Sequence, residues 1–338
     1  MKSSLRQRPL RKKMLDKKTL FLGIDTSNYT TSAALCDGEG RIVVNLKRLL
    51  PVKEGERGLR QSDALFAHSK NLPIIMDELN SFLDESYPER EIVTVGYSAT
   101  PRDVEGSYMP CFLAGVASAA SVRAVTGSKS YAFSHQAGHI AAALYSAGRL
   151  DLLDGEKVFA AFHVSGGTTD ILLVRPNGEG FSVEQIGGSA DINAGQAIDR
   201  TGVLMGLKFP CGREMESICN QSVYEKSKTR ISVKGLECNL SGLENLASAL
   251  YRECGDKGNV SAYCFDFIGD TLAKLTENLR EQFKDIPIIY AGGVMSNGRI
   301  KERLSTFDNV YFSAPEFSSD NAAGVALLGR RRYISENN

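Results

Sequence analysis

Hydrophobic positions in this chain fall into short runs separated by polar, glycine-bearing turns. Leu20–Asp25 is a β-rich apolar run, Thr26–Thr30 a polar turn and Thr31–Cys36 a second run. Asp37-Gly-Glu-Gly40 predicts a hairpin and Ile42–Leu46 a returning strand. Three meandering strands at the start do not suit a Rossmann domain, which opens strand–helix. Residues 48–62 predict a polar, Gly-containing loop. Helical periodicity covers Asp63–Asn80, a strand is expected at Ile92–Tyr97, and an alanine-rich helix spans Phe112–Val125.

The second half repeats the opening. Val158–Ser165 predicts a strand, Gly166-Gly-Thr-Thr169 a turn and Asp170–Val174 a strand. Asn177-Gly-Glu-Gly180 is the next turn, and Phe181–Ile186 a third strand. Strand, Ser/Thr/Gly turn, strand, N/D-G-E-G turn and strand thus occur from 20 and again from 158, which points to an internal duplication. Two such lobes, each a mixed sheet with helices, are expected to face a cleft, where small ligands usually bind.

Composition narrows the class. A length of 338 residues suggests two domains or one of two lobes, and 42% hydrophobic with 24% charged residues is ordinary for a globular protein. No window supplies the roughly 18 apolar residues of a membrane span. Seven cysteines, an odd number without a C-x-x-C, argue against a disulfide scaffold or zinc ribbon and for a reducing cytoplasm. The formal net charge of zero hides an asymmetry. Residues 1–18 hold eight bases and one acid, which leaves 32 bases against 39 acids in the body. This tail lacks the apolar region of a secretory signal. It is read as a disordered leader, with Met14 as a natural start before the first strand; the competing reading is an arm for nucleic acid.

Candidate chemistry begins with His135 and His139, two of four histidines, in Ser134-His-Gln-Ala-Gly-His139. Ser134 is a good N-cap, so both imidazoles lie on one face of a helix, one turn apart, a geometry that suits two ligands to one metal ion. Otherwise the pair packs or sits exposed. It is not a zincin motif, because Gln136 stands where that motif needs its Glu base. Asp320 is a candidate third ligand or, opening the helix that follows, a plain N-cap. Val164-Ser-Gly-Gly-Thr-Thr169 can form a nest for phosphate oxygens, Asp25-Thr-Ser27 is the matching turn, and Ala291-Gly-Gly293 lets a flat group approach the backbone. Asp191–Gly202 is expected to be helical, with Asp191 and Asp199 capping, pairing with Arg200 or holding a ribose hydroxyl. Pro210-Cys-Gly212 predicts a turn.

Taken in order, these segments resemble a known family. Gly23-Ile-Asp-Thr-Ser27, His135-x-x-x-His139, Val164-Ser-Gly-Gly167, Ala194–Asp199, Asn239–Leu243, Ala291–Val294 with Asn297, and Pro315–Ala322 are similar to seven motifs of the tRNA threonylcarbamoyladenosine transferases, once called O-sialoglycoprotein endopeptidases. The resemblance covers about residues 19–332. It implies an α/β actin-like ATPase fold of two duplicated lobes: residues 19–133, with a C-terminal helix at about 321–338 packing back on them, and residues 134–320. It implies transfer of a threonylcarbamoyl group from threonylcarbamoyl-AMP to N6 of the tRNA adenosine beside the anticodon. It makes His135, His139 and Asp320 ligands of one divalent metal ion, iron or zinc. It makes Val164, Ser165, Gly166, Gly167, Asp199, Gly212 and Asn297 contacts of an adenine nucleotide (ATP, AMP or threonylcarbamoyl-AMP). It assigns no catalytic side chain. The implied partners are tRNA and other proteins of the same pathway.

The chain departs from the family around the substrate. Tyr29 and Thr30 stand where an acidic pair is usual, Ala137 replaces a Glu and Thr168 a His. Residues 99–103 lack the family's Gly-Pro-Gly loop, and Glu244 replaces a Lys. Scaffold and metal triad are kept while nearby polar groups change, as in a divergent paralogue. The competing functions are a non-catalytic nucleotide-binding partner protein and a metalloprotease that lacks its Glu base.

Overall fold

The computed structural model describes residues 18–27, 29–51, 59–155, 157–177, 180–221, 229–318 and 322–337. The basic tail up to residue 17, with Met14, and Asp320 lie outside the described residues. The first half comprises β1 (Thr19–Asp25), β2 (Thr30–Asp37), β3 (Ile42–Leu49), α1 (Gln61–Ser86), β4 (Glu91–Thr100), α2 (Phe112–Thr126) and β5 (Lys129–Ser134). Then come α3 (His135–Ser146), α4 (Asp151–Asp154), β6 (Phe159–Val164), β7 (Thr169–Asn177), β8 (Gly180–Ser189), α5 (Ala194–Leu204) and α6 (Gly212–Asn220). A hairpin of β9 (Ser232–Lys234) and β10 (Glu237–Asn239) precedes α7 (Gly242–Cys254) and α8 (Lys257–Gln282). The chain closes with β11 (Ile288–Ala291), a 3-10 turn at Gly293–Ser296, α9 (Gly298–Leu304), β12 (Val310–Phe312), α10 (Pro315–Ser318) and α11 (Ala323–Asn337).

Two compact units result, one of residues 1–138 with 321–338 and one of residues 139–320. The first holds a five-stranded sheet in the order β3-β2-β1-β4-β5, antiparallel across β3-β2-β1 and parallel across β1-β4-β5. The second holds a seven-stranded sheet in which β8-β7-β6-β11-β12 repeats that order and those directions. The β9–β10 hairpin adds two strands beyond β8. The duplication expected from the matched turns is therefore present as duplicated topology.

In the first unit, β1 and β2 are buried along their whole length, as central strands covered on both faces must be. Helices α1 and α2 supply Leu72, Ile75, Leu79, Leu83, Ala114 and Ala119 to a core with Leu20, Leu22, Ile24 and Val95. Helix α11 covers the sheet by very close approach. A Cβ on Gly23 would lie 2.2 Å from the Ala322 carbonyl oxygen, and one on Gly96 2.1 Å from that of Val325, so only glycine fits there. In the second unit α8 is buried along most of its length and packs with α5, α6 and α7. Tyr290 on β11 lies between the rings of Phe162 and Phe312 and shares a hydrogen bond with Thr276.

Three local expectations are corrected. Strand β3 continues to Leu49, into the segment expected to be loop, because backbone pairing with β2 (Thr31 opposite Arg48, Thr30 opposite Leu49) extends the ladder whatever the side-chain polarity. Helix α1 runs on to Ser86, past Asn80. Helix α5 starts at Ala194, because the Asn193 and Gln196 side chains form a reciprocal capping box, so Asp191 precedes it. Asp191 instead accepts from Leu240, Ser241, Ile192 and Ser189.

Candidate functional site

The turn between β6 and β7 is built from within. Ser165 Oγ accepts from the Gly167 and Thr168 N–H groups at 3.2 and 3.1 Å, and the Ser165 N–H donates to the Thr168 carbonyl at 2.8 Å. Two of the N–H groups expected to face a phosphate are thus turned onto Ser165. What the turn presents is bare backbone: among the described residues, chain neighbours apart, no heavy atom comes within 4 Å of where a Cβ on Gly166 or Gly167 would sit. Below it the fit is tight. A Cβ on Gly195, in the first turn of α5, would lie 2.7 Å from Gly166 Cα and N, and the Gly195 N–H donates to Ser165 O at 3.1 Å. Gly292 takes φ +102°, and a Cβ there would sit 2.2 Å from the Val164 carbonyl oxygen.

The other expected nucleotide contacts are tied to this frame. Asp199, half-way along α5, accepts from the Cys211 N–H at 2.7 Å and so holds the start of α6, where Gly212 is the first helical residue. Burial raises the Asp199 carboxyl above its ordinary range, and the Cys211 N–H works against that. Arg200 does not pair with either aspartate; it meets Glu244, the residue at the family's Lys position. Asn297 is buried and caps α9, its Oδ1 accepting from the Ile300 N–H at 3.1 Å. Glu216 of α6 accepts from the next N–H, that of Gly298, at 2.7 Å. Glycine contacts and hydrogen bonds therefore link Val164–Gly167, Asp199, Gly212 and Asn297 through α5, α6 and α9.

His139, on α3, packs against the strand that leads into this turn. Its ring centroid is 5.0 Å from that of His163, near the end of β6. His163 Nδ1 in turn lies 3.4 Å from Thr168 Oγ1, which shares a 2.8 Å hydrogen bond with Ser165 Oγ. The imidazole absent at position 168 is thus supplied to the same turn from position 163. The sequence reading missed His163; the scarcity of histidine, four in the chain, was the only signal that could have found it.

His135 belongs to the first unit. Ser134 caps α3 as expected, its Oγ accepting from the Ala137 N–H at 3.1 Å. The His135 ring packs edge-on against Phe112, and its Nδ1 lies 3.5 Å from Asp25 Oδ1. Asp25, at the end of β1, is fully buried and accepts from Ser27 Oγ at 2.7 Å. Thr26 Oγ1 donates to Cys111 O and accepts from the Gly115 N–H, fixing this turn on the start of α2. Tyr29 is exposed, whereas Thr30 and Ala137 are buried, so no acid enters here at the three altered positions. Among the described residues no group of three or more His, Cys, Asp or Glu side chains is gathered as a metal site. No described helix is long and apolar enough to cross a membrane, and all seven cysteines are free.

Comparison with known proteins gives the family and the fold. A family model described as tRNA N6-adenosine threonylcarbamoyltransferase matches residues 54–327. The curated tRNA N6-adenosine threonylcarbamoyltransferase of Streptococcus suis is 25% identical over 332 residues, covering 95% of this chain and 94% of its own. Among solved structures, full-length HypF in its phosphate- and nucleotide-bound form superposes with a TM-score of 0.58 at 12% identity, over 95% of this chain. The chain spans about half of HypF, 47% of its length. Component A of the Acidaminococcus fermentans (R)-2-hydroxyglutaryl-CoA dehydratase gives a TM-score of 0.50 at 13% identity, over 93% of this chain and 98% of its own. These likenesses show an actin-like ATPase fold, in keeping with the duplicated sheets. With most of its length matched by the family model, the chain belongs to the tRNA N6-adenosine threonylcarbamoyltransferase family.

Proposed function

We propose that this chain transfers a threonylcarbamoyl group from threonylcarbamoyl-AMP to N6 of the tRNA adenosine adjacent to the anticodon. The observation that carries the reading is the bare Gly166–Gly167 turn, clamped from below by Gly195 and Gly292 inside the family-matched region. In the reaction the adenosine N6 forms a bond to the carbamoyl carbon, the carbon–oxygen bond to AMP breaks, and N6 loses a proton. The turn lets the leaving nucleotide lie against backbone. Asp199, with one oxygen on Cys211 N–H, offers the other to a ribose hydroxyl. Asn297, with Oδ1 committed to Ile300, offers its amide N–H groups, and Gly212 opens α6 without a side chain.

The residues also fit a divalent metal. His135 and His139 are one turn apart on α3, and Asp25 Oδ1 is buried without a hydrogen-bond donor. Imidazole with carboxylate is a donor set for iron or zinc. His135, His139 and Asp320 would hold the ion. When bound, it would draw electron density from a phosphate or carbamoyl oxygen and stabilise the charge that develops there. In this reading tRNA is the acceptor, and other proteins of the same pathway assist from a cytoplasmic location.

The test is a single-turnover reaction of the purified chain, metal-loaded, with threonylcarbamoyl-AMP and tRNA, repeated with partner proteins added. Modified adenosine is the expected product. Tight nucleotide binding with no transfer under either condition would overturn the reading in favour of a non-catalytic partner protein.

A further inference from the structure

His163 is out of keeping with the strand that carries it. Every other residue of β6 is buried, and Ala160, Phe162 and Val164 belong to the core of the second unit. Side chains alternate across a strand, so the His163 ring leaves the sheet on the opposite face, where it meets His139 of α3. A half-buried imidazole in a central strand forgoes the apolar packing that a valine or isoleucine would give there. It stands one residue from the carboxyl end of β6, and open α/β sheets hold their ligands outside the carboxyl ends of their strands.

The two rings have the spacing of two ligands. Imidazole nitrogens bind zinc at about 2.0–2.1 Å, so two rings on one tetrahedral ion have their centres roughly 5 Å apart. The His139 and His163 centroids are 5.0 Å apart, with the ring planes at 42°. Plain ring packing covers the same range of distances, and it is the position at a strand end, with donor nitrogens on both rings, that favours coordination. The His163 ring is also held from the turn: Thr168 Oγ1 lies 3.4 Å from Nδ1 and shares a 2.8 Å hydrogen bond with Ser165 Oγ. A partner on one ring nitrogen, fixing the ring while the other meets the ion, is the usual arrangement of a ligating histidine.

We propose that His163 is a ligand, through Nε2, to the ion that His139 holds. The inference rests on the proposed metal role of His139 and adds to the three ligands of that reading one from a different element, β6. It also gives a reason for the altered turn. Thr168 stands where the family carries an imidazole, and this chain brings one five residues earlier, on the strand, with Thr168 as its support.

The test uses the full chain, freed of metal, with Co²⁺ alone as the probe, in wild type, His163→Ala and His163→Cys. Affinity is read by competition with a chromophoric chelator, and the donor set by the visible and near-ultraviolet spectrum of the bound cobalt. Expected in His163→Ala is Co²⁺ binding weaker by about tenfold or more. Expected in His163→Cys is a thiolate-to-cobalt charge-transfer band that wild type, with its seven free cysteines, does not show. That band requires sulfur on the ion, which a merely structural position 163 would not give. Wild-type Co²⁺ affinity in His163→Ala, or cobalt bound to His163→Cys without the band, overturns the proposal and leaves the metal reading standing. If His163→Ala does not fold, the spectrum of His163→Cys decides alone. A wild type that binds no Co²⁺ overturns the metal reading and the proposal with it.

Discussion

Replacing Gly195 by alanine sets two effects of opposite sign against each other. Alanine is the better helix former by about 1 kcal/mol in a helix interior, and less at the first turn where Gly195 lies. Propensity alone therefore predicts a small gain. Against it, the new Cβ would sit 2.7 Å from Gly166 Cα and N and 2.9 Å from the Ser165 carbonyl carbon. Carbon contacts are comfortable from about 3.5 Å, so α5 and the turn must part by roughly 0.8 Å. All three obstructing atoms are backbone, and no rotamer can relieve the overlap. Overpacking of this kind costs about 1–3 kcal/mol, and the rigid surroundings put Gly195→Ala near the upper end. The net effect is a destabilisation of about 2 kcal/mol. For a unit of this size it lowers the melting temperature by roughly 4–8 °C. Calorimetry of wild type and variant, with and without ADP, measures both the loss and the nucleotide-induced shift. Gly167→Ala is the control: with nothing within 4 Å of its Cβ it should leave the melting temperature unchanged while weakening the nucleotide shift. A Gly195→Ala protein as stable as wild type, or more so, would refute the reasoning.

Other expectations follow from single contacts. His139→Ala and Asp320→Ala should each lose bound metal in elemental analysis, since removing one of three protein ligands cuts affinity steeply; metal content equal to wild type would count against the ligand set. Asn297→Ala should lose the N-cap of α9, about 1 kcal/mol of stability, and also the melting shift produced by AMP, ADP or ATP; retention of the full shift would remove Asn297 from the nucleotide site. Burial pushes the Asp191 carboxyl up, but hydrogen bonds from Ser241, Leu240 and Ile192 outweigh it and hold it down at about 2. A lowered pKa means stability present at neutral pH and lost as pH falls from about 4 towards 2, so the stability gap between wild type and Asp191→Asn should narrow over that window. A gap that stays constant in denaturant titrations across that range would contradict the assignment.

What the amino-acid sequence determined by itself was local. Alternating and continuous apolar runs, with Asp37–Gly40 and its counterpart after β7, specify the two three-stranded meanders, because hairpins close over a few residues. Ser134 capping α3 and the spacing of His135 and His139 are equally local, set by one helical turn. Motif order carried the family and fold without any contact being known. Only tertiary structure decided the rest. The length of β3 follows from its partner's backbone, and the register that pairs Thr30 with Leu49 is not written in side-chain polarity. Arg200 meets Glu244 and not the nearby aspartates because α7 packs across α5. His163 joins His139, and Asp25 faces His135, across separations of 24 and 110 residues. Strand order brings such pairs together, and no periodicity or spacing rule reaches that far. Chemistry at the end of a β-strand depends on which strand lies beside it, and that is a property of the folded sheet.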